Sequence, residues 1–320
     1  ISQYDDMVYG NIAVDCADME DEILIKSDGL PTYNFANVID DHLMKITHVI
    51  RGTEYLSSTP KYNLIYDGFG WERPQYMHLP PIMKDANHKL SKRYGDANFE
   101  DFTARGFLPQ AIVNYIALLG WSPKDNREKL SMDELKCMFN VEGISKSGSI
   151  FDEAKLKWLN GEYLKEMSAD EFLSFAEPFF KLSKVYGKYD LRLLSELIKT
   201  RLEMLDGIPD MVNFLEEFEE YDTEYFTHIK MKTDKAVART VLIACIPVLE
   251  SVEWQSDKLH DALVALAEEM GLKKGQVLWS IRVALTGRPS TPGGAIEMAE
   301  LLGRHESVRR IEFSLKLLGE

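Results

Sequence analysis

Lys89-Leu90-Ser91-Lys92-Arg93 places two lysines and an arginine within five residues, with a serine between them and Gly95 just behind. The stretch before it, 80–88, has almost no helical period and holds Pro80, Pro81, Asp85 and Asn87, the composition of a loop. Each cation there can neutralise a phosphate oxygen, so a loop this basic suits a polyanion such as a triphosphate. Taken alone, the same five residues would serve as a solvated surface run. Upstream, Tyr33 and Asn37 stand at i and i+4, on one face of a helix. A phenol beside an amide can bond the ammonium and carboxylate of an amino acid, or can merely begin a helix. Arg51 closes an apolar, β-branched run, and Glu54 follows a turn later. At the carboxyl end of a parallel strand an arginine can clamp a carboxylate and a glutamate can accept from a ribose hydroxyl. The competing use is an Arg51–Glu54 ion pair that closes a loop. Asp40, Asp41 and His42 do not make a metal site, because adjacent helical carboxylates diverge and no second ligand cluster completes a shell. No Ser/His/Asp set and no glycine-rich phosphate loop is present.

The elements that must position these residues follow from periodicity and turn signals. A strand is expected over 22–26, then a tight turn at Ser27-Asp28-Gly29-Leu30-Pro31. Phe35, Val38, Ile39 and Leu43 predict a helix from Tyr33. A buried strand is expected over 46–50, a helix capped by Thr53 and running toward Phe69, and a strand over 75–79. Helix, strand, helix, strand gives parallel α/β structure, but only half a domain of it. Beyond the basic loop the chain reads as helices: 109–119, 132–139, 152–159, 169–182, 190–205, 209–218, 234–249, 256–270, 274–285, 294–302 and 306–317. The predicted fold class is therefore an α/β remnant followed by an all-α region.

The chain has 320 residues, of which 45% are hydrophobic and 28% charged, as in a globular protein with a full core. It contains no apolar run of membrane-spanning length and no signal peptide. Cys16, Cys137 and Cys245 are far apart and in no CxxC pair, which argues against structural zinc and for a reducing compartment. A net charge of −15 disfavours nucleic-acid binding at face value. From Gly271 to Arg310, however, seven Lys/Arg face three Glu, so a local basic region survives.

Against that background, the run from Asp28 to His42 (DGLPTYNFANVIDDH) resembles bacterial glutamyl-tRNA synthetases, and Val49-Ile50-Arg51-Gly52-Thr53-Glu54-Tyr55-Leu56 continues the likeness. Lys89 to Arg93 resembles their form of the class I KMSKS motif. Phe151 to Gly161 (FDEAKLKWLNG) is similar to their stem-contact motif. Arg282-Val283-Ala284-Leu285-Thr286-Gly287 with Thr291-Pro292-Gly293 resembles their anticodon-binding end. The five motifs occur in order along essentially the whole chain. Two departures stand out: no His-x-Gly-His sequence occurs, and Tyr55 stands where tryptophan is expected. With Ile1 as first residue, this is the pattern of the carboxyl-terminal two-thirds of such an enzyme, lacking the HIGH-motif half.

The resemblance implies the second half of a class I Rossmann domain, with preceding connective strands, over 1–94. It implies a stem-contact domain over 95–168 and an all-helical anticodon-binding domain over 169–320, with a subdomain boundary near 225. It assigns Tyr33, Asn37 and Arg51 to glutamate, and Glu54, Tyr55, Lys89 and Lys92 to ATP, with Lys89 and Lys92 also catalytic. It assigns Lys155, Trp158, Arg201, Arg282, Thr291 and Pro292 to tRNA. From its residue type alone, Arg201 could instead pair with Glu203 or Asp206 on a helix surface. The implied function is glutamate–tRNA ligase: ATP with Mg²⁺ activates L-glutamate, which passes to the 3′ end of tRNA-Glu, or also tRNA-Gln. The implied protein is cytoplasmic and monomeric, with no zinc or other metal in this portion and no membrane association. The 320 residues are expected to be inactive by themselves. The alternatives are a non-catalytic tRNA-binding module and a glutaminyl-tRNA synthetase, whose bacterial members end in β-barrels rather than helices.

Overall fold

The computed structural model describes residues 1–90 and 98–319. It divides into two compact units, Ile1–Thr103 with Leu108–Leu159, and Ala104–Phe107 with Asn160–Glu320.

In the first unit, β1 (Ser2–Asp6) alternates strictly, with Ser2, Tyr4 and Asp6 inward and Gln3 and Asp5 in solvent. It forms a hairpin with β2 (Gly10–Val14). The strand expected over 22–26 does not form: all five residues are exposed, and only Ile25 bridges to Pro31 across the turn at Gly29. Without a neighbouring strand to pair with, that segment stays irregular. Helix α1 (Tyr33–Leu43) forms where its period places it, and Val38 packs against Tyr62 and Tyr66 of α2 (Thr59–Phe69). Thr53 does not cap this helix. It opens a single tight turn, and α2 begins at Thr59 with Pro60 in its first turn, where a missing N–H costs nothing.

Strand β3 (His48–Gly52) lies two residues beyond the expected 46–50, and it is not buried. The sheet order is β2-β1-β4-β3, so β3 is an edge and Ile50 is 57% exposed. Strand β4 (Gln75–Leu79) forms as expected. It runs parallel to β3 from His48↔Gln75 to Gly52↔Leu79, and meets β1 at Asp6↔Tyr76. Being central, it buries Tyr76, Met77 and His78 in succession, on both faces. Two short strands, β5 (Ile82–Met83) and β6 (Ser149–Ile150), pair in parallel and had no signal in the sequence pattern. Helices α3 (Phe99–Ala104), α4 (Pro109–Gly120), α5 (Met132–Met138) and α6 (Glu153–Glu166) follow, and the division between the units falls inside α6.

The second unit is built from helices among its described residues: α7 (Ala169–Phe180), α8 (Leu191–Ile198), α9 (Ile208–Val212), α10 (Lys235–Ser251), α11 (Ser256–Glu269), α12 (Lys274–Thr286) and α13 (Ala295–Leu317). Ser168 and Glu171 form a capping box at the start of α7. Gly303, at φ +73°, breaks α13 into the two segments expected on either side of it. The helix expected over 190–205 stops at Ile198. Leu202 and Leu205 keep the apolar spacing and are buried, but from a turning backbone, which puts Arg201 in a turn rather than in a helix. The helix expected over 209–218 likewise ends at Val212. No helix among the described residues is long and apolar enough to cross a membrane.

Candidate active site and nucleic-acid surface

Arg51 is the penultimate residue of β3, one residue before Gly52 releases the chain into the turn that carries Glu54 and Tyr55. Its guanidinium carbon lies 4.6 Å from the centre of the Tyr62 ring and 4.9 Å from that of Tyr55. These faces stabilise a cation without neutralising it. Nη2 donates to Thr59 Oγ1 at 2.8 Å. Nε is shielded from solvent and has no hydrogen-bond partner. Among the described residues no carboxylate lies within 4 Å of the guanidinium, so the Arg51–Glu54 pair does not form. Glu54 is exposed, and its carboxylate fills the space above Gly52. One opposing charge is felt rather than touched. Burial raises the Asp41 pKa above the ordinary value, Arg51 pulls it back down and Asp40 adds to the rise.

Tyr33 and Asn37 reach the same cluster from one face of α1. Tyr33 is 62% exposed, with its ring centre 6.5 Å from that of Tyr55, and a hydrogen bond that Tyr55 donates to Tyr33 raises the Tyr55 pKa. The Tyr62 hydroxyl donates to Asn34 Oδ1 at 3.0 Å; burial raises its pKa, opposed by Arg51 and by a hydrogen bond with Asn37. Tyr33, Asn37, Arg51 and Tyr55 are thus brought together. His42, whose imidazole could have joined a metal shell, instead stacks flat on Trp71 at 3.7 Å.

Lys89 is exposed and bridges to Met83 across a turn centred on Asp85. Asp85 accepts from the Asn87 and His88 amides at 2.8 and 3.0 Å and meets His88 Nδ1 at 2.8 Å. The Asn87 amide, then the His88 side chain, hold its carboxyl below the ordinary value. Lys92, with Ser91 and Arg93, lies outside the described residues. On α6, Asp152 caps the first turn by accepting from Ala154 and Lys155. Lys155 pairs with Glu128 at 2.7 Å, and Trp158, three residues on along the same face, is left 41% exposed.

In the helical unit, Arg201 Nη1 donates to the Thr291 carbonyl at 2.8 Å, and no pair with Glu203 or Asp206 forms. Arg201, Thr291 and Pro292 line one cavity together with Phe214 and Arg288. Arg288 lies 5.0 Å over the Phe214 ring. Arg282 sits 4.4 Å over Trp279, donates to the Pro289 carbonyl at 2.8 Å and keeps a shielded Nε without a partner. Burial, then repulsion by Arg201, lowers its pKa from the ordinary arginine value. Here too four expected residues come together. The additions the sequence did not single out are Trp279 and Arg288 here, and Thr59, Tyr62 and His78 in the first unit. Trp279 stands three residues before Arg282, a spacing that would have placed it on the same face. His78 carried no local signal.

Comparison with known proteins sets each cluster within a matched family region. Residues 2–158 match the family described as tRNA synthetases class I (E and Q), catalytic domain, and residues 157–315 match an anticodon binding domain. A glutamate–tRNA ligase of Clostridium botulinum (strain Eklund 17B) is 52% identical over 98% of this chain and 65% of its own length. One of Clostridium novyi is 50% identical over 100% of this chain and 66% of its own length. Among solved structures, a glutamate tRNA ligase from Elizabethkingia meningosepticum in complex with its amino acid gives a TM-score of 0.82 at 30% identity. The glutamate-tRNA synthetase of Elizabethkingia anophelis gives 0.83 at 31%, and the match covers 98% of this chain and 66% of either solved chain. The chain thus spans about two-thirds of the length of the relatives it matches. The two family matches meet at residues 157–158 and together run from residue 2 to 315, so the chain belongs to the class I tRNA synthetases of the glutamate and glutamine branch, with part of their catalytic domain followed by their anticodon-binding domain.

Proposed function

We propose that the protein bearing this chain is a glutamate–tRNA ligase acting in cytoplasmic translation as a monomer. One observation carries the choice of amino acid: Arg51 is a half-buried guanidinium with a shielded, unpartnered Nε and, among the described residues, no carboxylate within 4 Å. A charge left in this state is costly and is best relieved by an anionic ligand. A guanidinium can only donate, so it complements both oxygens of a carboxylate but only the oxygen of an amide, which favours glutamate over glutamine. Tyr33 and Asn37 would hold the ammonium and α-carboxylate ends. Glu54 and Tyr55 would receive the ribose and adenine of ATP, which enters as its Mg²⁺ complex.

In the first step a glutamate α-carboxylate oxygen attacks the α-phosphate and pyrophosphate leaves. Lys89 and Lys92 would stabilise the charge that develops on the departing group, an electrostatic contribution that needs no covalent enzyme intermediate. In the second step the terminal ribose hydroxyl of tRNA attacks the mixed anhydride and AMP leaves. Lys155 and Trp158 would contact the tRNA stem, while Arg201, Arg282, Thr291 and Pro292 would take the unstacked anticodon bases, whose edges accept hydrogen bonds and whose faces stack on guanidinium or indole. This division assigns 1–94 to the catalytic domain, 95–168 to stem contact and 169–320 to the anticodon, with a subdomain boundary near 225.

The test is ATP–pyrophosphate exchange by the whole protein with tRNA-Glu present, run with glutamate and with glutamine. Glutamate-dependent exchange is expected. Exchange driven by glutamine would make it a glutaminyl enzyme, and tRNA binding without exchange would make it a binding module.

A further inference from the structure

We propose that Thr59, His78 and Asp6 form a buried relay that fixes the orientation of Arg51, making them positioning residues for the amino-acid site. This rests on the assignment of Arg51 to the substrate carboxylate. Thr59 and His78 are completely buried and Asp6 is 3% exposed. Asp6 Oδ2 lies 2.6 Å from His78 Nδ1, His78 Nε2 lies 3.2 Å from Thr59 Oγ1, and Thr59 Oγ1 accepts from Arg51 Nη2 at 2.8 Å. The relay thus joins three strands and a helix: β1, β4, the first residue of α2, and β3.

The Thr59 hydroxyl has one proton and two lone pairs. The Tyr55 carbonyl, 2.9 Å away, can only accept, and Arg51 can only donate. The hydroxyl proton therefore goes to Tyr55 and the lone pairs go to Arg51 and to His78 Nε2, which must donate. Nδ1 in turn lies 2.6 Å from Asp6 Oδ2, which anchors the other side of the ring. The Thr59 oxygen is thereby held from three sides, and the guanidinium that it receives is fixed in one rotamer. Holding a charged side chain in place before the ligand arrives removes an ordering cost from binding. Asp6 also anchors backbone: it accepts the Val8 and Tyr9 amides at 3.0 and 2.9 Å and the His78 amide at 3.1 Å. Changing it would disturb the β1–β2 turn, so the relay is best interrupted at Thr59 and His78.

The experiment measures steady-state exchange in the whole protein for Thr59→Val, Thr59→Ser, His78→Gln and Arg51→Gln. Valine matches threonine in shape but offers Arg51 no oxygen. Thr59→Val should raise the KM for glutamate about tenfold with the KM for ATP unchanged, the loss of one charge-assisted hydrogen bond and its alignment. Thr59→Ser should restore it, and His78→Gln should shift the glutamate KM in the same direction. An equal rise in both KM values, or no rescue by serine, would overturn the relay and leave Thr59 as packing. Should Thr59→Val fail to fold, an unchanged glutamate KM in His78→Gln would do the same. If Arg51→Gln itself leaves the glutamate KM unchanged, the site assignment fails; if only Arg51→Gln raises it, the relay alone fails.

Discussion

Arg51→Gln should damage catalysis and leave stability nearly untouched. In the free protein the substitution removes three cation–π contacts, to Tyr62 at 4.6 Å, to Tyr55 at 4.9 Å and a longer one to Tyr76 at 6.0 Å. Each contributes about 0.5–1 kcal/mol at partly exposed sites. The bond to Thr59 Oγ1 is partly replaced, because a glutamine amide can also donate to it. Against those losses stands the relief of a half-buried charge that has no carboxylate partner, an effect of several kcal/mol when complete and less for a partly solvated group. The terms nearly cancel. The expected change is about 1 kcal/mol in either direction, or a Tm shift of roughly 2–4 °C. Binding does not cancel in this way, because the substrate carboxylate would then be desolvated opposite a neutral amide. Breaking one side of such a pair costs about 3 kcal/mol or more, so the KM for glutamate should rise roughly hundredfold. The assay is tRNA-dependent exchange over a glutamate titration, with thermal unfolding of the same preparations. A Tm that collapses by more than about 10 °C would show that the cage holds the fold rather than the ligand. An unchanged glutamate KM would refute the role outright.

Lys92→Ala, at the centre of the basic motif, should slow activation roughly hundredfold while tRNA affinity stays near wild type; single-turnover adenylate formation checks this, and a normal rate would remove Lys92 from the chemistry. Arg201→Gln should shrink discrimination at one anticodon base about tenfold, tested by charging transcripts that differ only there; a uniform loss across transcripts would make it a backbone contact. Glu306 accepts from Arg309 and Arg310, and those bonds, Arg309 first, pull its carboxyl from 4.5 to about 2. A depressed carboxyl stabilises the fold fully above 4.5 and loses that contribution as pH falls through about 2. Glu306→Gln should therefore be less stable than wild type at neutral pH, with the two urea midpoints converging as pH falls; parallel midpoints would deny the linkage.

What the sequence disclosed depended on how local the cause was. Tyr33 and Asn37 share a face because helical spacing alone decides it, and α1 forms there. Arg51 was legible as the end of a strand, but the burial of that strand was not. Whether Ile50 is covered depends on which strands lie beside it, and β3 has a neighbour on one side only. Arg201 was misplaced because Leu202 and Leu205 prolong the apolar period of α8 after the backbone has turned away. Periodicity reports which residues face a core and does not report whether the chain between them is helical. His78 was invisible for a third reason. In Gln75-Tyr76-Met77-His78-Leu79 it looks like any polar residue of a strand, and its partner Asp6 lies 72 residues earlier.

Under the proposed function, an acidic chain that holds polyanions has to keep its own carboxylates away from the cations that do the holding. With net charge −15, many surface lysines here are already paired: Lys61 with Glu22, Lys155 with Glu128, Lys184 with Glu217, Lys188 with Glu216, Lys235 with Glu224. Arg51, Arg201, Arg282 and Arg288 are treated differently. Among the described residues none has an acidic partner, and each is held by a hydroxyl, a backbone carbonyl or an aromatic face. Such supports fix a guanidinium without cancelling its charge. Arg239 and Arg304 also donate to carbonyls, those of Gly319 and Val252, but these lie just past the ends of α13 and α10, where a cation satisfies orphan helix acceptors. Removing those two from the set leaves arginines at the two clusters where the sequence motifs had placed ligand binding. Hydroxyl, carbonyl and ring supports all leave that charge intact. Replacing Tyr62 or Trp279 by an acid would neutralise the cation and abolish its use, whereas a ring tolerates it until a carboxylate or a nucleotide arrives.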